Sequence, residues 1–181
     1  MNSKKVSFLL VWILSISFCN LMAQHQIHQI GQNSTNIGFL ILNGDKVESG
    51  FGLYYSSLSS EEESNLETGF GLCINYFDVK NLSDGLKGHF FSYSPQFVLN
   101  YYLNDGPLRI QLGGTILLVL GSETINNLTT NFFIGPQIKE TFGIMLGNTF
   151  CVKAGLFQLR HFGSELLPSD SGVIYGLDVS F

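Results

Sequence analysis

The last ten residues, GVIYGLDVSF (172–181), decide the fold. Along this stretch, apolar side chains alternate with side chains that are mostly small or polar. Successive side chains of a β-strand point to opposite faces. One face would carry Val173, Tyr175, Leu177, Val179 and Phe181, and the other Ile174, Gly176, Asp178 and Ser180. The stretch therefore predicts a strand with one wholly apolar face, which must be covered by protein or by lipid.

Seven further segments show the same period of two. The clearest are LETGFGLCINYF (66–77), HFFSYSPQFVLNYYL (89–103) and LRIQLGGTILLVL (108–120), and the weaker ones are TNIGFLIL (35–42), VESGFGLYYSS (47–57), TTNFFIGPQIK (129–139) and TFCVKAGLF (149–157). No segment after residue 23 is apolar for the roughly 20 residues that a membrane-spanning helix needs. A chain that enters a membrane as strands must close into a barrel to satisfy its backbone. We therefore expect an all-β, eight-stranded antiparallel up-and-down transmembrane β-barrel.

The connectors between these strands differ in length in an ordered way. The longest, DVKNLSDGLKG (78–88) and RHFGSELLPSDSG (160–172), fall on the side opposite the chain ends, whereas NDGP (104–107) and MLGN (145–148) fall on the side of the chain ends. Bacterial outer-membrane barrels have long outer loops and short periplasmic turns. Pro95 and Pro136 interrupt two of the strands, and we expect them to mark β-bulges because proline removes a backbone donor.

The N-terminus has the layout of a secretory signal peptide. Lys4 and Lys5 precede the apolar run VSFLLVWILSISF, and Ala23 lies just before Gln24. We expect cleavage after Ala23, which gives a signal peptide of residues 1–23 and a barrel domain of residues 24–181. Phe18 before Cys19 does not fit a lipoprotein cleavage site.

The charge of the chain argues against a nucleic-acid partner. The whole chain has 9 Lys+Arg and 14 Asp+Glu, and removing Lys4 and Lys5 with the signal peptide leaves 9 − 2 = 7 basic residues against 14 acidic ones. Nucleic-acid-binding domains usually carry a basic patch. Charged residues make up 13% of the chain, whereas soluble proteins typically have about 25%.

The signal peptide ending in MAQ and the terminal strand GVIYGLDVSF with its last residue Phe181 resemble the small outer-membrane β-barrel proteins of Gram-negative bacteria, the group typified by OmpX and the OmpA transmembrane domain. The resemblance implies an outer-membrane location, with membrane lipid and the outer-membrane assembly machinery as partners. In that family the machinery recognises the last strand and its terminal aromatic residue. The matching residues here are Tyr175, Leu177, Val179 and Phe181. An external partner is not indicated.

The inward face is expected to enclose charges of both signs. The acidic ones are Glu48, Glu67 and Asp178, and the basic ones are Arg109, Lys139 and Lys153. Because the interior of an eight-stranded barrel is just wide enough for side chains to fill it, we expect a salt-bridge network, with a conducting path as the alternative. Cys73 and Cys151 also face inward, and we expect two small filling side chains and no disulfide. His25 and His28 are too weak a signal for a metal site, and no cofactor is expected.

Three functions are compatible with these features. The first is an integral outer-membrane protein with a structural or surface-interaction role and no catalytic activity. The second is a hydrolase, because RHFGSELLPSDSG resembles the catalytic segment of lipid A deacylases: His161 matches the base, whereas Ser164 is one residue out of step with the nucleophile, and Glu165 or Asp170 would be the acidic partner. The third is a secreted soluble barrel that binds an apolar ligand inside.

Overall fold

The computed structural model describes residues 33–60, 64–79, 88–103, 108–125, 129–147 and 149–181. The predicted signal peptide, its cleavage site at Ala23, and His25 and His28 lie outside the described residues. Within the described ranges, no helix has the length and hydrophobicity that crossing a bilayer would require.

Eight strands form one closed barrel in which each strand pairs with its sequence neighbours. The strands are β1 (Ser34–Gly44), β2 (Val47–Ser60), β3 (Leu66–Val79), β4 (Gly88–Tyr102), β5 (Leu108–Ile125), β6 (Thr129–Leu146), β7 (Phe150–Arg160) and β8 (Ser169–Ser180). All eight pairings are antiparallel, and β8 closes the barrel by pairing with β1. The predicted eight-stranded up-and-down barrel is confirmed.

The two ends of the barrel differ in what they carry. The start of β1 and the end of β8 lie at the same end of the barrel, where the backbones of Thr35 and Phe181 exchange two hydrogen bonds of 3.1 and 2.9 Å. We call this the terminal end. At the opposite end the chain passes from β1 to β2, from β3 to β4, from β5 to β6 and from β7 to β8. We call this the cap end.

The period of two in the sequence separates an apolar outside from a more polar inside. On β1, for example, Ile37, Phe39 and Ile41 are 44–50% exposed, whereas Leu40 and Leu42 are buried. Exposed large apolar side chains recur on all eight strands, and we call this outward surface the apolar belt. A soluble carrier of apolar ligands needs a polar outside, so this arrangement does not fit the third of the candidate functions.

The interior is apolar toward the cap end and polar below it, and a small apolar cluster of Tyr102, Met145 and Cys151 lies at the terminal end. Four inward aromatic side chains pack in the apolar part, Phe77, Phe90, Phe133 and Phe157. The polar part contains buried serine, asparagine, glutamine and lysine side chains, among them Ser56, Asn75, Ser94, Gln96, Asn100, Gln137 and Lys139. The apolar part therefore fills the lumen on the side where the long connectors lie.

Two local expectations about the strands are wrong. The pairing of β2 with β3 shifts between Val47 and Ser49, and this bulge turns Val47 into the core and leaves Glu48 exposed. No such shift occurs at Pro95 or Pro136, where the register on either side is the same. The pairing of β4 with β5 is only interrupted at Ser94 and Pro95, because proline has no N–H to contribute.

Candidate functional site

A buried carboxylate organises the cap end of the barrel. Glu123, near the end of β5, is fully buried. Its oxygens accept hydrogen bonds from the Ser164 hydroxyl at 2.6 Å, from the backbone N–H groups of Glu165 and Leu166 at 2.8 and 3.3 Å, and from the Asn131 amide at 3.2 Å. Three of the four donors lie between β7 and β8. Glu123 therefore holds that connector over the mouth of the barrel.

We call residues 161–168, the connector between β7 and β8, the cap. Leu166 and Leu167 of the cap are buried and belong to the same apolar cluster as the inward phenylalanines. Gly88 makes this packing possible, because a Cβ at that position would collide with the Leu166 side chain. Beyond the cap, the Asp170 carboxylate accepts the backbone N–H groups of Lys46 and Val47 at 3.1 and 3.0 Å. The cap is thus packed against β4 and tied to β5, and Asp170 ties the start of β8 to the turn between β1 and β2.

The cap does not bring His161 and Ser164 together as a catalytic pair. His161 is 3% exposed, its ring lies 4.4 Å from that of Phe133 between centroids, and neither ring nitrogen has a hydrogen-bond partner among the described residues. The Ser164 hydroxyl instead donates to Glu123. A base must hydrogen-bond the nucleophile at about 2.6–3.2 Å to activate it. The contact on which the deacylase hypothesis depends is therefore not formed.

Burial lowers the pKa of His161 to about 4, although the backbone of Leu167 and the carboxylate of Glu123 oppose the shift. The neutral imidazole packs against the rings of Phe90 and Phe133 and so anchors the start of the cap in the barrel interior. Protonation would place an unpaired charge in this apolar part of the barrel.

The predicted lumen charges do not share one environment. Lys153 and Asp178 form an ion pair, and the Lys153 ammonium lies 5.3 Å from the centroid of the Tyr54 ring. Lys139 is 3% exposed, and its ammonium lies 3.6 Å from the Cys73 sulfur. No carboxylate of the described residues forms a salt bridge with Lys139.

Toward the terminal end, the carboxylate of Glu67 accepts the Tyr102 hydroxyl at 2.7 Å, and the same hydroxyl accepts the Gln111 amide at 3.2 Å. Arg109, also on this side, is half-buried. Glu48 takes no part in the lumen, because the β2 bulge turns it outward. The charges therefore form one ion pair and separate polar contacts, and the predicted six-residue network is not assembled as a unit.

The two cysteines of the described residues, Cys73 and Cys151, are buried and free. The Cys73 thiol donates to the Asn75 side chain and the Cys151 thiol donates to the Gln111 side chain, each at 3.2 Å. Both fill the interior, as expected from the sequence. Among the described residues, no group of three or more His, Cys, Asp or Glu side chains could hold a metal ion.

Glu140 interrupts the apolar belt. It is exposed and faces outward in the middle of β6, with Ile134, Pro136 and Ile138 toward the cap end and Phe142, Ile144 and Leu146 toward the terminal end. Its partners in the pairing are Gly114 on β5 and Leu156 on β7. Among the described residues, it is the only acidic side chain flanked by apolar outward residues on both sides of its own strand.

The residues that the family resemblance assigns to assembly lie on the outside of β8. Tyr175, Leu177 and Phe181 are about half-exposed, and Val179 is partly exposed. They continue the apolar belt to the terminal end.

Sequence reasoning missed Glu123 and Glu140 for different reasons. Glu123 fell between the segments 108–120 and 129–139 that were expected to be strands, whereas β5 extends to Ile125 and β6 begins at Thr129. Glu140 fell just beyond the expected end of the sixth strand, which extends to Leu146. Continued alternation beyond Lys139 was the signal that could have revealed Glu140.

With its strands paired only to their neighbours, an apolar outside and a filled lumen, the protein has the fold of the eight-stranded outer-membrane barrels. The attachment invasion locus protein Ail of Yersinia pestis has a TM-score of 0.54 at 15% sequence identity, over 84% of this chain and 99% of that one. Neisserial surface protein A gives 0.52 at 13% identity, over 82% and 97%. The N-terminal β-barrel domain of Pseudomonas aeruginosa OprF gives 0.50 at 16% identity, over 83% and 99%. No protein-family model and no curated protein sequence matches the chain.

Proposed function

We propose that the protein is an integral outer-membrane barrel with a structural or surface-interaction role and no catalytic activity. The observation that carries the proposal is the apolar belt, which recurs on all eight strands. A soluble monomer rarely exposes an apolar patch of more than a few hundred Å². Hydrocarbon is the environment in which such a surface is stable, and a closed barrel has no unpaired strand edge to expose to it.

The proposed mechanism of the surface role is presentation of a fixed outer surface. The cap is held by Glu123 on one side, and Asp170 ties the start of β8 to the turn after β1. The exposed residues of the cap, among them Phe162, Glu165 and Pro168, would be presented in a defined arrangement. The cap end faces outward from the cell in this proposal, because the long connectors lie there.

Membrane lipid and the outer-membrane assembly machinery are the proposed partners. The assembly residues are Tyr175, Leu177, Val179 and Phe181, which lie on the accessible outer side of the closing strand. Replacing Phe181 by Ala should reduce the amount of folded barrel in the outer membrane. Phe70→Ala, which changes an exposed phenylalanine on β3, is the matched control and should assemble normally.

The location is tested by expressing the full chain in a Gram-negative host and washing the membranes with carbonate. The proposal expects the protein in the washed outer membrane, with a mature N-terminus at Gln24. It also expects an unheated sample to migrate differently from a heated one on a detergent gel, since a closed barrel resists unfolding at room temperature. Recovery in the soluble periplasm or in the medium would contradict the proposal.

A further inference from the structure

The polar part of the lumen contains buried donors and acceptors without hydrogen-bond partners, and the acceptors are Asn36 Oδ1 and Asp178 Oδ1. The Ser94 hydroxyl and the side-chain NH₂ groups of Gln96 and Gln137 are buried, and none of the three has a hydrogen-bond partner among the described residues. These residues are between 0 and 5% exposed. Lys139 adds a buried ammonium that no carboxylate neutralises.

The strand register places these donors on one side of the barrel. Gln96 and Gln137 flank Leu117 of β5 from the two neighbouring strands. Ser94 pairs with Cys73, whose sulfur lies 3.6 Å from the Lys139 ammonium. On the other side, Lys153 and Asp178 already neutralise each other. The three unpartnered donors and Lys139 therefore lie on β4 and β6.

A small cavity lies beside Gln96 and Lys139. Its volume is about 20 Å³, and its lining includes Gln96, Lys139, Lys153, Asp178, Asn36 and Tyr54. A single water needs roughly 10–15 Å³ of such space, so the cavity accommodates one particle of that size. Phosphate and sulfate, with four oxygens around a central atom, need more room.

The charges that line the cavity do not balance. Lys139 and Lys153 face it with Asp178 as the only carboxylate in its lining. Buried charges are stable when they are paired, and an unpaired one in a low-dielectric interior is strongly unfavourable. A small anion would neutralise Lys139 and accept a hydrogen bond from the side-chain NH₂ group of Gln96, which also lines the cavity.

We propose that the lumen binds one halide ion, chloride in a physiological medium, between the Lys139 ammonium and the side-chain NH₂ group of Gln96. The negative charge of the ion neutralises Lys139, so the ion stabilises the folded barrel. It binds the folded state and has no site in the unfolded chain, so it should stabilise the barrel in a concentration-dependent way. A water molecule in the same place would satisfy hydrogen bonds but would leave the charge of Lys139 uncompensated.

Crystals of the detergent-refolded protein soaked in sodium bromide provide the direct test. The proposal expects an anomalous bromide peak inside the lumen, within contact distance of the Lys139 ammonium. A lumen without such a peak, with only surface sites or with an ordered water in that place, would overturn the proposal. This measurement needs no variant and stands even if a lumen substitution prevents folding.

Thermal unfolding in detergent gives an independent test. At equal ionic strength, the protein should unfold at a temperature several degrees higher in sodium chloride than in sodium gluconate. Lys139→Met, which keeps the length of the side chain and removes its charge, should lose this difference. Lys46→Met, which changes an exposed lysine between β1 and β2, should retain it. Equal unfolding temperatures of the unmodified protein in the two salts would count against the halide site.

Discussion

At the scale of single residues, charged side chains lie both in the lumen and on the outer surface of the barrel. Lys153 and Asp178 are enclosed in the lumen and pair with each other. Glu140 lies in the apolar belt, where hydrocarbon would surround it. An acidic side chain on the lipid face of an outer-membrane barrel is unfavourable, although less so than a basic one.

Replacing Glu140 by Leu should stabilise the barrel in lipid, because it removes a carboxyl group from the belt. The expected gain in the free energy of unfolding is about 1–2 kcal/mol, measured by denaturant unfolding in phospholipid vesicles. Glu48→Leu is the control, because Glu48 lies next to the cap end, beyond the apolar outward residues of β2. A Glu140→Leu barrel that is no more stable than the control would show that this part of β6 does not face hydrocarbon.

The ion pair between Lys153 and Asp178 should be sensitive to the loss of one partner. Asp178→Asn leaves the buried Lys153 without a countercharge, and breaking a buried pair in this way typically costs about 3–5 kcal/mol of unfolding free energy. The double variant Lys153→Met, Asp178→Leu should be more stable than the single one, because it leaves no unpaired charge. If the single variant unfolds like the unmodified protein, the pair is not buried as described.

At the scale of strands and connectors, the sequence predicts the regular parts better than the exceptions. Alternation over 66–77 and 89–103 predicts β3 and β4 closely, because each side chain is either outside or inside. Alternation cannot reveal the β2 bulge, since one inserted residue reverses the parity of Val47 and Glu48 alone. It also cannot show that Glu123 holds the cap, because that contact joins residues 41 to 43 positions apart.

Removing the Glu123 carboxylate should release the cap while leaving the barrel closed. In Glu123→Ala, the Ser164 hydroxyl and the backbone N–H groups of Glu165 and Leu166 lose their acceptor. Limited proteolysis should then cut within the cap faster than in the unmodified protein, while the unheated gel mobility stays the same. Glu165→Ala changes an exposed carboxylate in the cap and should not alter the cleavage rate. Equal cleavage in both variants would contradict the role given to Glu123.

The cap should also loosen in acid because of His161. Its pKa in the closed cap is about 4, below the value of about 6.5 for a solvated histidine, so the open state binds the proton more tightly. The stabilisation is fully present above pH 6.5, is lost as the pH falls from 6.5 to 4, and changes no further below that. At pH 5 the loss is at most about 2 kcal/mol.

Amide hydrogen exchange of the cap, corrected for the intrinsic effect of pH, measures this opening. Exchange in the cap should be faster at pH 5 than at pH 7.5. His161→Phe, which keeps an aromatic ring without a titrating group, should remove the difference between the two pH values. A pH dependence that survives this substitution would assign the opening to another group.

At the scale of the whole molecule, the barrel follows from a pattern that is repeated eight times. One alternating strand is ambiguous, but eight strands separated by connectors of ordered length leave a closed barrel as the arrangement that pairs every edge. Alternation alone does not tell which face is inside, and the fold resolves that question by turning the apolar face outward on all eight strands. The content of the lumen depends on which inward residues meet across the barrel, and the sequence pattern does not specify those contacts.

The most direct test of the account is a nitroxide scan along β2 in phospholipid vesicles, with Cys73 and Cys151 replaced by Ala. Labels at Phe51, Leu53 and Tyr55 should collide preferentially with oxygen, which concentrates in hydrocarbon. A label at Ser57, toward the terminal end, should collide more with a water-soluble nickel complex. Labels at Phe51, Leu53 and Tyr55 that collide mainly with the nickel complex would contradict the claim that the apolar belt faces lipid.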